Sequence, residues 1–355
     1  ENRTRFPYEL MERIRKAVPD KNFLIGSKIS AWEGVPGGFG TEGPHSPIMD
    51  LTEPLDLIKG LEERGASYIV QSAGSPSITV SLTQADKHVP YFAYLHQYWA
   101  KEFRKALKPE TVVIGSNFSP FRSGKNGLCA VTEEESNLLN YSEWCVENDV
   151  CDMIGLGRQS FADPFLPKKI IEGREADITP CLRCSDCMSS MIAFKGMRCA
   201  VNPIIGREND FFHPLPTFRH QKILIAGGGP AGMQAALTAA ERGHEVILCE
   251  ERDRLGGALK FADSGAPNKL TMKRYRDSQI QKVLAGPIDV RLNTKVDASV
   301  VAEVKPDVLI AAVGALPIKL PIPGVDSDHV MFGADLAQNT KLGENVVIIG
   351  GGMIG

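Results

Sequence analysis

Apolar residues in the first half of the chain follow two alternating patterns, one typical of helices and one typical of buried strands. Apolar residues recurring every three or four positions predict helices at 3–18, 53–65, 91–107, 133–148 and 163–174. Short apolar runs between them predict strands at 23–30, 66–74, 111–117 and 151–158. Strict alternation predicts a parallel α/β sheet, and four strands correspond to half of a closed (β/α)8 barrel.

A second α/β unit is predicted from residue 222 onward. The segment KILIAGGGPAGMQAALTAAERGHEVILCEE (222–251) predicts a strand, a glycine turn, an alanine-rich helix and a second strand. PDVLIAAVGALP (306–317) predicts a buried strand ending at Gly314, and NVVIIGGGMIG (345–355) predicts a strand that enters another glycine turn. ENDFFHPLPTFRHQ (208–221) contains two prolines, and we interpret it as the linker between domains.

Composition and charge narrow the class of protein. The 355 residues are 43% hydrophobic and 23% charged, which is typical of a globular protein. A net charge of −3 gives no electrostatic reason to expect nucleic acid or an acidic membrane as a partner. No apolar run approaches the ~18 residues of a membrane span, so we expect a cytoplasmic protein. The chain lacks an initiator Met and stops within a glycine turn, so we expect a fragment of a longer polypeptide.

The first glycine turn carries a dinucleotide-binding pattern. Gly227, Gly229 and Gly232 form a GxGxxG motif between a predicted strand and helix, and Glu250 follows about 20 positions later. The first glycine permits the turn, the second lets the backbone approach a pyrophosphate, and the third lets the helix pack on the strand. The carboxylate of Glu250 can accept a hydrogen bond from a ribose hydroxyl. The pattern therefore predicts a bound dinucleotide.

Three further features resemble the flavoproteins with two dinucleotide-binding domains. Gly256 and Gly257 follow Glu250 within RDRLGG, and the later predicted strand ends at Gly314. This resemblance implies FAD at the first site. It also implies that the second glycine turn opens an NAD(P)H-binding domain. The glycines of that turn are Gly350, Gly352 and Gly355.

Four of the eight cysteines lie within ITPCLRCSDCMSSMIAFKGMRCAVNP (178–203). Their spacing is C-x2-C-x2-C-x11-C, formed by Cys181, Cys184, Cys187 and Cys199. Three thiolates close together in the sequence and a fourth further along, Cys199, suit a [4Fe–4S] cluster, with one cysteine for each iron. Structural zinc is the alternative, although its usual pattern is two separated CxxC pairs, and a site without metal is the third. Asp186 is interpreted as a solvated loop residue without a role.

Taken together, the motifs resemble the Old Yellow Enzyme superfamily. ENRTRF at the start, the alternating half-barrel, the cysteine spacing, VNP, GGGPAG and ERDRLGG are similar to its long iron–sulfur branch. That branch includes 2,4-dienoyl-CoA reductase, enoate reductase and trimethylamine dehydrogenase. The resemblance implies an FMN-binding TIM barrel of which this chain holds the C-terminal half, a cluster beside it, and a Rossmann-like FAD/NAD(P) module that is incomplete here. The catalytic acid is unassigned, because the resemblance puts it in the preceding half.

The resemblance also implies residues for the FMN site. Lys28 stands at the position of an arginine that contacts the flavin pyrimidine. Gly115 and Asn117 stand at one phosphate loop, and Gly157 with Arg158 at the other. The dienoyl reductases carry a histidine after the strand that ends near residue 72, but 72–81 contains none. His88 and His96 lie downstream, and we interpret both as helix-flank or surface residues.

These observations predict five segments. They are the barrel half at 1–177, the [4Fe–4S] segment at 178–207, the linker at 208–221, the FAD-binding part at 222–344 and the opening turn of the NAD(P)H-binding domain at 345–355. The resemblance implies electron flow from NAD(P)H through FAD and the cluster to FMN, and then to an activated C=C bond of a small-molecule substrate. The alternatives are an amine dehydrogenase that passes electrons to an electron-transferring flavoprotein, and a non-catalytic zinc-stapled scaffold. The sequence leaves the oligomeric state open.

Overall fold

The computed structural model describes residues 2–75, 78–79, 82, 90–118, 138–211, 217–264, 270–315, 318–333 and 341–351. The chain divides into two compact units, Glu1–Ser160 and Phe161–Gly355. The domain boundaries that we predict from the sequence stay predictions.

The first unit alternates helices with short strands. Its helices and strands, in chain order, are α1 (Asn2–Ala17), β1 (Gly26–Ser30), α2 (Thr52–Glu63), β2 (Tyr68–Ser72), α3 (Pro90–Ala106), β3 (Val112–Gly115), α4 (Leu138–Glu147), β4 (Met153–Ile154) and the start of α5 (Arg158–Ala162). The four strands form one parallel sheet in the order β1-β2-β3-β4. The predicted parallel α/β arrangement is therefore confirmed.

The hydrophobic pattern explains how this sheet is covered. Helix α2 buries Leu57, Ile58 and Leu61, which recur at helical spacing and so form one apolar stripe. Helix α3 buries Trp99 and Phe103, both fully inaccessible, on its own stripe. Because alternate strand residues point to opposite faces, each strand sends one set of side chains towards these helices and the other set to the far face of the sheet.

The second unit begins with short segments around the cysteines and continues into a larger α/β fold. Its elements are the rest of α5, α6 (Leu166–Ile171), α7 (Asp186–Ile192), α8 (Glu208–Phe211), β5 (Lys222–Ala226), α9 (Pro230–Glu241), β6 (Glu245–Cys249), α10 (Leu270–Ala285), β7 (Ile288–Arg291), α11 (Ala298–Val304) and β8 (Val308–Ala311), with 3-10 turns at Glu175–Asp177 and Gly257–Ser264.

Its sheet is parallel, with strand order β7-β6-β5-β8, and it is covered on both faces. On one face Ile225 and Leu248 pack against Met233 of α9 and Val283 of α10. On the other face, Leu224, Ile247 and Cys249 form a separate cluster with Val304. Strands buried on both faces read as continuous apolar runs, which is the pattern of β5 and β6.

Two predicted strands differ from the structure. The strand predicted within 306–317 ends at Ala311 rather than Gly314, and its residues alternate between half-buried and exposed. It is the edge strand of its sheet and pairs only with β5, so one of its faces is less covered. Residues 345–350 are exposed coil, so the strand predicted there is wrong for the described part. A strand needs a hydrogen-bonded neighbour, and none of the described strands pairs with this segment.

None of the described helices is both long enough and apolar enough to cross a membrane.

The core of the second unit supplies a test of the fold. Met233 is fully buried between the sheet and α10, so Met233→Ala leaves a cavity and lowers the free energy of unfolding by about 2–5 kcal/mol. Leu284→Ala is the matched control, because Leu284 is 58% exposed and its loss changes stability by about 0.5 kcal/mol or less. Urea unfolding measures both. Equal destabilisation by the two variants would contradict this core assignment.

Candidate functional site

The first glycine turn joins β5 to α9 in a conformation that only glycine allows at two positions. Gly227 has a φ of +107°, and a Cβ there would lie 2.4 Å from the carbonyl oxygen of Ala312. At Gly232, a Cβ would lie 1.8 Å from the carbonyl oxygen of Gly227. The helix therefore packs directly on the turn, as the sequence pattern predicts for the third glycine.

Glu250 follows β6 and faces the same turn. Its side chain is buried, and one carboxylate oxygen accepts the Gly228 N–H at 2.7 Å. The other oxygen accepts the Arg252 N–H at 3.0 Å. Each oxygen keeps a further lone pair that could accept from a ribose hydroxyl. The carboxylate thus fixes the turn and offers an acceptor beside it.

A second pair of glycines closes against the first turn. Gly256 and Gly257 have φ values of +115° and +51°, and the Gly256 N–H donates to the carbonyl oxygen of Gly228 at 2.9 Å. A Cβ on Gly257 would lie 2.8 Å from the Cα of Gly229. By contrast, a Cβ on Gly229 would have only that glycine within 4 Å, at 3.8 Å. The two loops, Gly227–Gly232 and Gly256–Gly257, therefore form a cradle lined by backbone atoms, with open space at Gly229. We call it the glycine cradle.

The other glycines that the sequence predicts at dinucleotide sites make no close contact in the described part of the structure. Gly314 lies three residues beyond β8 with a φ of +76°, and a Cβ there would meet no atom within 4 Å. Gly350 has a φ of +115° but lies in exposed coil. Gly352 and Gly355 lie outside the described residues.

The four clustered cysteines, which we call the cysteine set, lie on a loop with unusual backbone geometry. Cys181 and Cys187 are buried, Cys199 is half-buried and Cys184 is exposed, and none of the four forms a disulfide within the described part of the chain. Between them, Arg183 and Ser185 have φ values of +57° and +60°. Left-handed residues within such a turn direct successive N–H groups to one side, an arrangement found at anion and iron–sulfur sites.

Backbone donors reach three of these sulfurs. The Arg183 N–H donates to the Cys181 sulfur at 3.3 Å. Burial raises the pKa of the Cys187 thiol, the Met188 N–H lowers it, and the other three thiols of the set raise it. Hydrogen bonds of this kind stabilise a thiolate and tune a bound metal centre.

Cys199 has the same surroundings. Burial raises the pKa of its thiol, whereas the N–H groups of Val201 and Asn202 lower it. Cys181 and Cys184 raise it again through their charges, so the fourth thiol faces the three grouped ones. Nevertheless, the described residues contain no group of three or more His, Cys, Asp or Glu side chains set to hold a single metal ion.

Helix α10 packs against both the cysteine set and the glycine cradle. Tyr275 is buried with Cys181 and Val201, and Cys199 and Leu259 pack against this cluster. Burial raises the pKa of Tyr275, and the charge of Cys199 raises it further. The next residue, Arg276, packs over Gly256 of the glycine cradle. A Cβ added to Gly256 would lie 2.9 Å from the Cδ of Arg276.

A buried carboxylate anchors the chain that leads into the cysteine set. Asp163 is 3% exposed and accepts from the Lys169 ammonium at 2.6 Å and from the Thr179 N–H at 2.8 Å. Lys282 of α10 donates to the Thr179 hydroxyl at 2.9 Å. Thr179 is therefore held from both sides, two residues before Cys181.

In the first unit, Lys28 lies in β1 and its side chain is exposed. Its register partner Val70 is in turn paired with Ile114, so these three residues share one face of the sheet. Asn117, beyond β3, has a φ of +67° and a buried side-chain nitrogen that has no hydrogen-bond partner among the described residues. A buried donor of this kind is costly unless a ligand or water satisfies it.

The other predicted phosphate residues have different surroundings. Gly115 is buried at the end of β3, and a Cβ there would lie 2.9 Å from the Cys151 sulfur, so packing alone requires glycine. Gly157 follows β4 in open space, and its carbonyl oxygen accepts the Ser160 N–H at 3.0 Å. Arg158 is the first residue of α5.

The prediction that His96 is a helix-flank or surface residue is wrong, because it is 1% exposed. Its Nε2 lies 2.7 Å from the Leu82 carbonyl oxygen, which can only accept, so Nε2 carries the proton. Nδ1 then accepts from the Gln71 amide at 3.2 Å, and the Ser116 hydroxyl donates to the Gln71 carbonyl oxygen at 3.2 Å. The available signal was its place on the apolar stripe of α3, three residues before Trp99. His88 lies outside the described residues.

Burial of this network favours the neutral imidazole. Burial lowers the pKa of His96 from 6.5 to about 4, the hydrogen bond to Leu82 opposes this, and the charge of Lys28 lowers it further. A proton on Nδ1 would face the Gln71 amide donor.

Comparison with known proteins finds similarity to oxidoreductases. The family described as pyridine nucleotide-disulphide oxidoreductase matches residues 221–355. The chain is 32% identical over 363 residues to "NADH oxidase" of Thermoanaerobacter brockii, covering all of this chain and 50% of that protein. It is 36% identical over 366 residues to "Cinnamate reductase" of Clostridium sporogenes, again covering all of this chain and 50% of the relative. The chain thus spans about half the length of these curated relatives.

A solved structure gives the same indication. A complex of 2-naphthoyl-CoA reductase with 2-naphthoyl-CoA superposes with a TM-score of 0.70 at 26% identity. The match covers 93% of this chain and 46% of that one.

The glycine cradle predicts opposite behaviour for two alanine variants. Gly232→Ala forces a Cβ into the Gly227 carbonyl, so it lowers the thermal midpoint of unfolding. Gly229→Ala has room and an ordinary φ of −76°, so stability is unchanged, but its methyl group enters the open side of the cradle and weakens FAD binding. Thermal unfolding and equilibrium FAD titration distinguish the two effects. Unchanged FAD affinity in the Gly229 variant would contradict the cradle assignment.

His96 predicts a pH-dependent stability. Its folded-state pKa is lowered, so folding favours the neutral ring, and this contribution is complete above pH 6.5 and is lost as pH falls towards about 4. The loss amounts to about 3 kcal/mol in the free energy of unfolding. His96→Gln keeps an amide donor but does not titrate, so the difference between wild type and variant narrows across this range. Urea unfolding at several pH values measures it, and parallel pH profiles would exclude a buried neutral His96.

Proposed function

We propose that the protein containing this chain is an NAD(P)H-dependent oxidoreductase of the iron–sulfur flavoenzyme branch of the Old Yellow Enzyme superfamily, and that it reduces an activated C=C bond. The matches along all of this chain to an NADH oxidase and to a cinnamate reductase support the proposal. The substrate is an enoate or enoyl thioester. When bound, the cofactors supply hydride and one-electron transfer from NAD(P)H through FAD and a [4Fe–4S] cluster to FMN and the substrate. The residues of this chain position those groups and tune their surroundings.

One observation carries the proposal: two successive residues of α10 contact the two candidate cofactor sites. Tyr275 packs against the cysteine set, and Arg276 packs over Gly256 of the glycine cradle. A cluster and a dinucleotide that both pack against one helix are arranged as a single electron path requires. A zinc-stapled scaffold gives no reason for this adjacency.

The cradle fits the FAD assignment. The open backbone at Gly229 gives a pyrophosphate access to N–H groups, and the N-terminus of α9 adds a favourable dipole. Glu250 keeps acceptor capacity for the ribose. Gly227 and Gly232 allow the turn and the helix to approach. The roles of Gly314, and of Gly350, Gly352 and Gly355 towards NAD(P)H, stay predictions.

The cysteine set fits a cluster better than zinc. A tetrahedral zinc site with Zn–S bonds of about 2.3 Å needs sulfurs about 3.8 Å apart. The described residues hold no group arranged for one ion, yet the four thiols lie within electrostatic reach of one another. A four-iron cube takes one thiolate at each iron corner and so needs a wider set. The N–H groups directed at three of the sulfurs also suit a cluster.

The FMN assignment rests on the first unit as the C-terminal half of a TIM barrel. Active sites of such barrels lie at the carboxyl ends of the strands. Asn117 follows β3 there, and its unsatisfied buried amide suits a phosphate oxygen. Gly157 and Arg158 follow β4, and Lys28 offers a positive charge on the exposed face of β1. Gly115 supports the strand rather than needing a ligand contact to explain it.

An amine dehydrogenase is the second candidate. The C-x2-C-x2-C spacing and the absence of a histidine from 72–81 favour it. It would pass electrons to an electron-transferring flavoprotein, and amine-dependent dye reduction without nicotinamide would identify it. That partner and the cytoplasmic location stay predictions, and the oligomeric state stays open.

Cofactor content tests the proposal. Full-length polypeptide containing this chain, purified without oxygen, should hold about four irons and four acid-labile sulfides, together with FMN and FAD. Cys199→Ala removes a thiolate ligand and should lower iron and sulfide. Cys249→Ala, a buried free thiol in β6, is the control and should retain both.

The same preparation tests the reaction. It should oxidise NAD(P)H in the presence of cinnamate or an enoyl thioester. Zinc without sulfide would contradict the cluster, and absent turnover with every enoate and enoyl thioester would contradict the substrate class.

A further inference from the structure

An ion pair joins the two separated parts of the cysteine set. Arg198 Nε donates to one carboxylate oxygen of Asp186 at 2.9 Å, and Arg198 Nη2 donates to the other at 3.0 Å. Such a two-bond fork fixes orientation as well as distance. Asp186 immediately precedes Cys187, and Arg198 immediately precedes Cys199. The pair therefore bridges the twelve-position separation between the grouped cysteines and the lone one.

The segment that the pair spans has little other support. After α7 ends at Ile192, residues 193–196 are exposed, and the chain from 195 to 199 is coil. The grouped cysteines, by contrast, follow Thr179, which is held by buried Asp163 and by Lys282 of α10. Cys199 follows this exposed segment, so its position relative to Cys187 depends on its own packing against Cys181 and Tyr275 and on contacts of its neighbours.

A contribution to the stability of the whole fold does not explain why Asp186 and Arg198 form an ion pair. The side chains of Arg198 and Asp186 are 64% and 34% exposed, and pairs of this kind add little to global stability. Their effect lies instead in the geometry of the neighbouring residues. Holding a ligand in its bound position before the metal arrives reduces the ordering cost of binding.

We propose that Asp186 and Arg198 form a positioning clamp that holds Cys199 beside the grouped cysteines for cluster binding. The inference rests on the proposed function, because it presumes that the cysteine set binds a [4Fe–4S] cluster. Neither residue touches a sulfur in the described structure, so both are positioning residues rather than ligands. The loop interpretation of Asp186 made from the sequence is thereby replaced by a specific role.

Iron release measures the clamp directly. Asp186→Asn and Arg198→Gln each break the pair and should speed iron loss to a ferrous chelator by about fivefold, which corresponds to about 1 kcal/mol. Lys195→Gln is the control, since it removes a positive charge from the same exposed segment and leaves the pair intact. Its rate should equal that of the wild type. Thermal unfolding of the apo forms checks that all variants fold.

The double variant separates a pair from two independent charges. If Asp186 and Arg198 act together, the double variant loses iron no faster than either single variant. About 1 M salt, at which the Debye length is about 3 Å, should bring the wild-type rate towards that of the variants. Electron paramagnetic resonance should show a larger three-iron fraction in the variants, because release of Cys199 frees one iron corner.

The following results would overturn the clamp. Single variants that retain iron as long as the Lys195 control would exclude it, and so would a double variant whose effect is the product of the single effects. Wild-type protein without iron and sulfide would remove the cluster and the clamp together. Iron and sulfide present in the wild type but unaffected in every variant would exclude the clamp alone and leave the proposed function standing.

Discussion

Helix α10 sets the spatial relation on which the second unit depends. Tyr275 buries its ring against the cysteine set, and Arg276 covers Gly256 of the cradle. Val283 joins the same helix to the sheet that carries the glycine turn. Interiors packed at crystal-like density leave no freedom to slide such a helix without opening a void. The distance between the two candidate cofactor sites is therefore fixed by ordinary core packing.

Both candidate sites in this unit are built mainly from backbone groups. The cradle needs glycines because side chains would occupy the ligand space or collide with carbonyl oxygens, as at Gly227 and Gly232. The cysteine sulfurs accept from backbone N–H groups, among them that of Arg183, which lies in a turn with left-handed residues at Arg183 and Ser185. Buried Asp163 then secures the entry to that loop. Side chains such as Glu250 mostly hold these backbone shapes in place, so local conformation carries much of the binding chemistry.

Local patterns could be predicted from the sequence, whereas tertiary pairings could not. The GxGxxG turn, Glu250 beside it and parallel strand pairing follow from patterns over a few residues, and the structure has them. His96 was misjudged because its burial depends on Gln71 and Leu82, distant in the chain. The ion pair between Asp186 and Arg198 spans a short helix and the coil after it, and no local pattern in the sequence indicates that the two residues meet. The strand predicted at 345–350 failed because its residues look apolar locally, but pairing decides whether a strand forms.

The central claim is that the cysteine set and the glycine cradle serve one electron path through a shared helix. Anaerobic addition of NAD(P)H to the full-length protein, followed by rapid freezing and electron paramagnetic resonance, tests it most directly. The account predicts the signal of a reduced [4Fe–4S] cluster, appearing as the flavin absorbance bleaches and without any added mediator. Flavin bleaching with a cluster that stays oxidised, yet is reducible by dithionite, would contradict it.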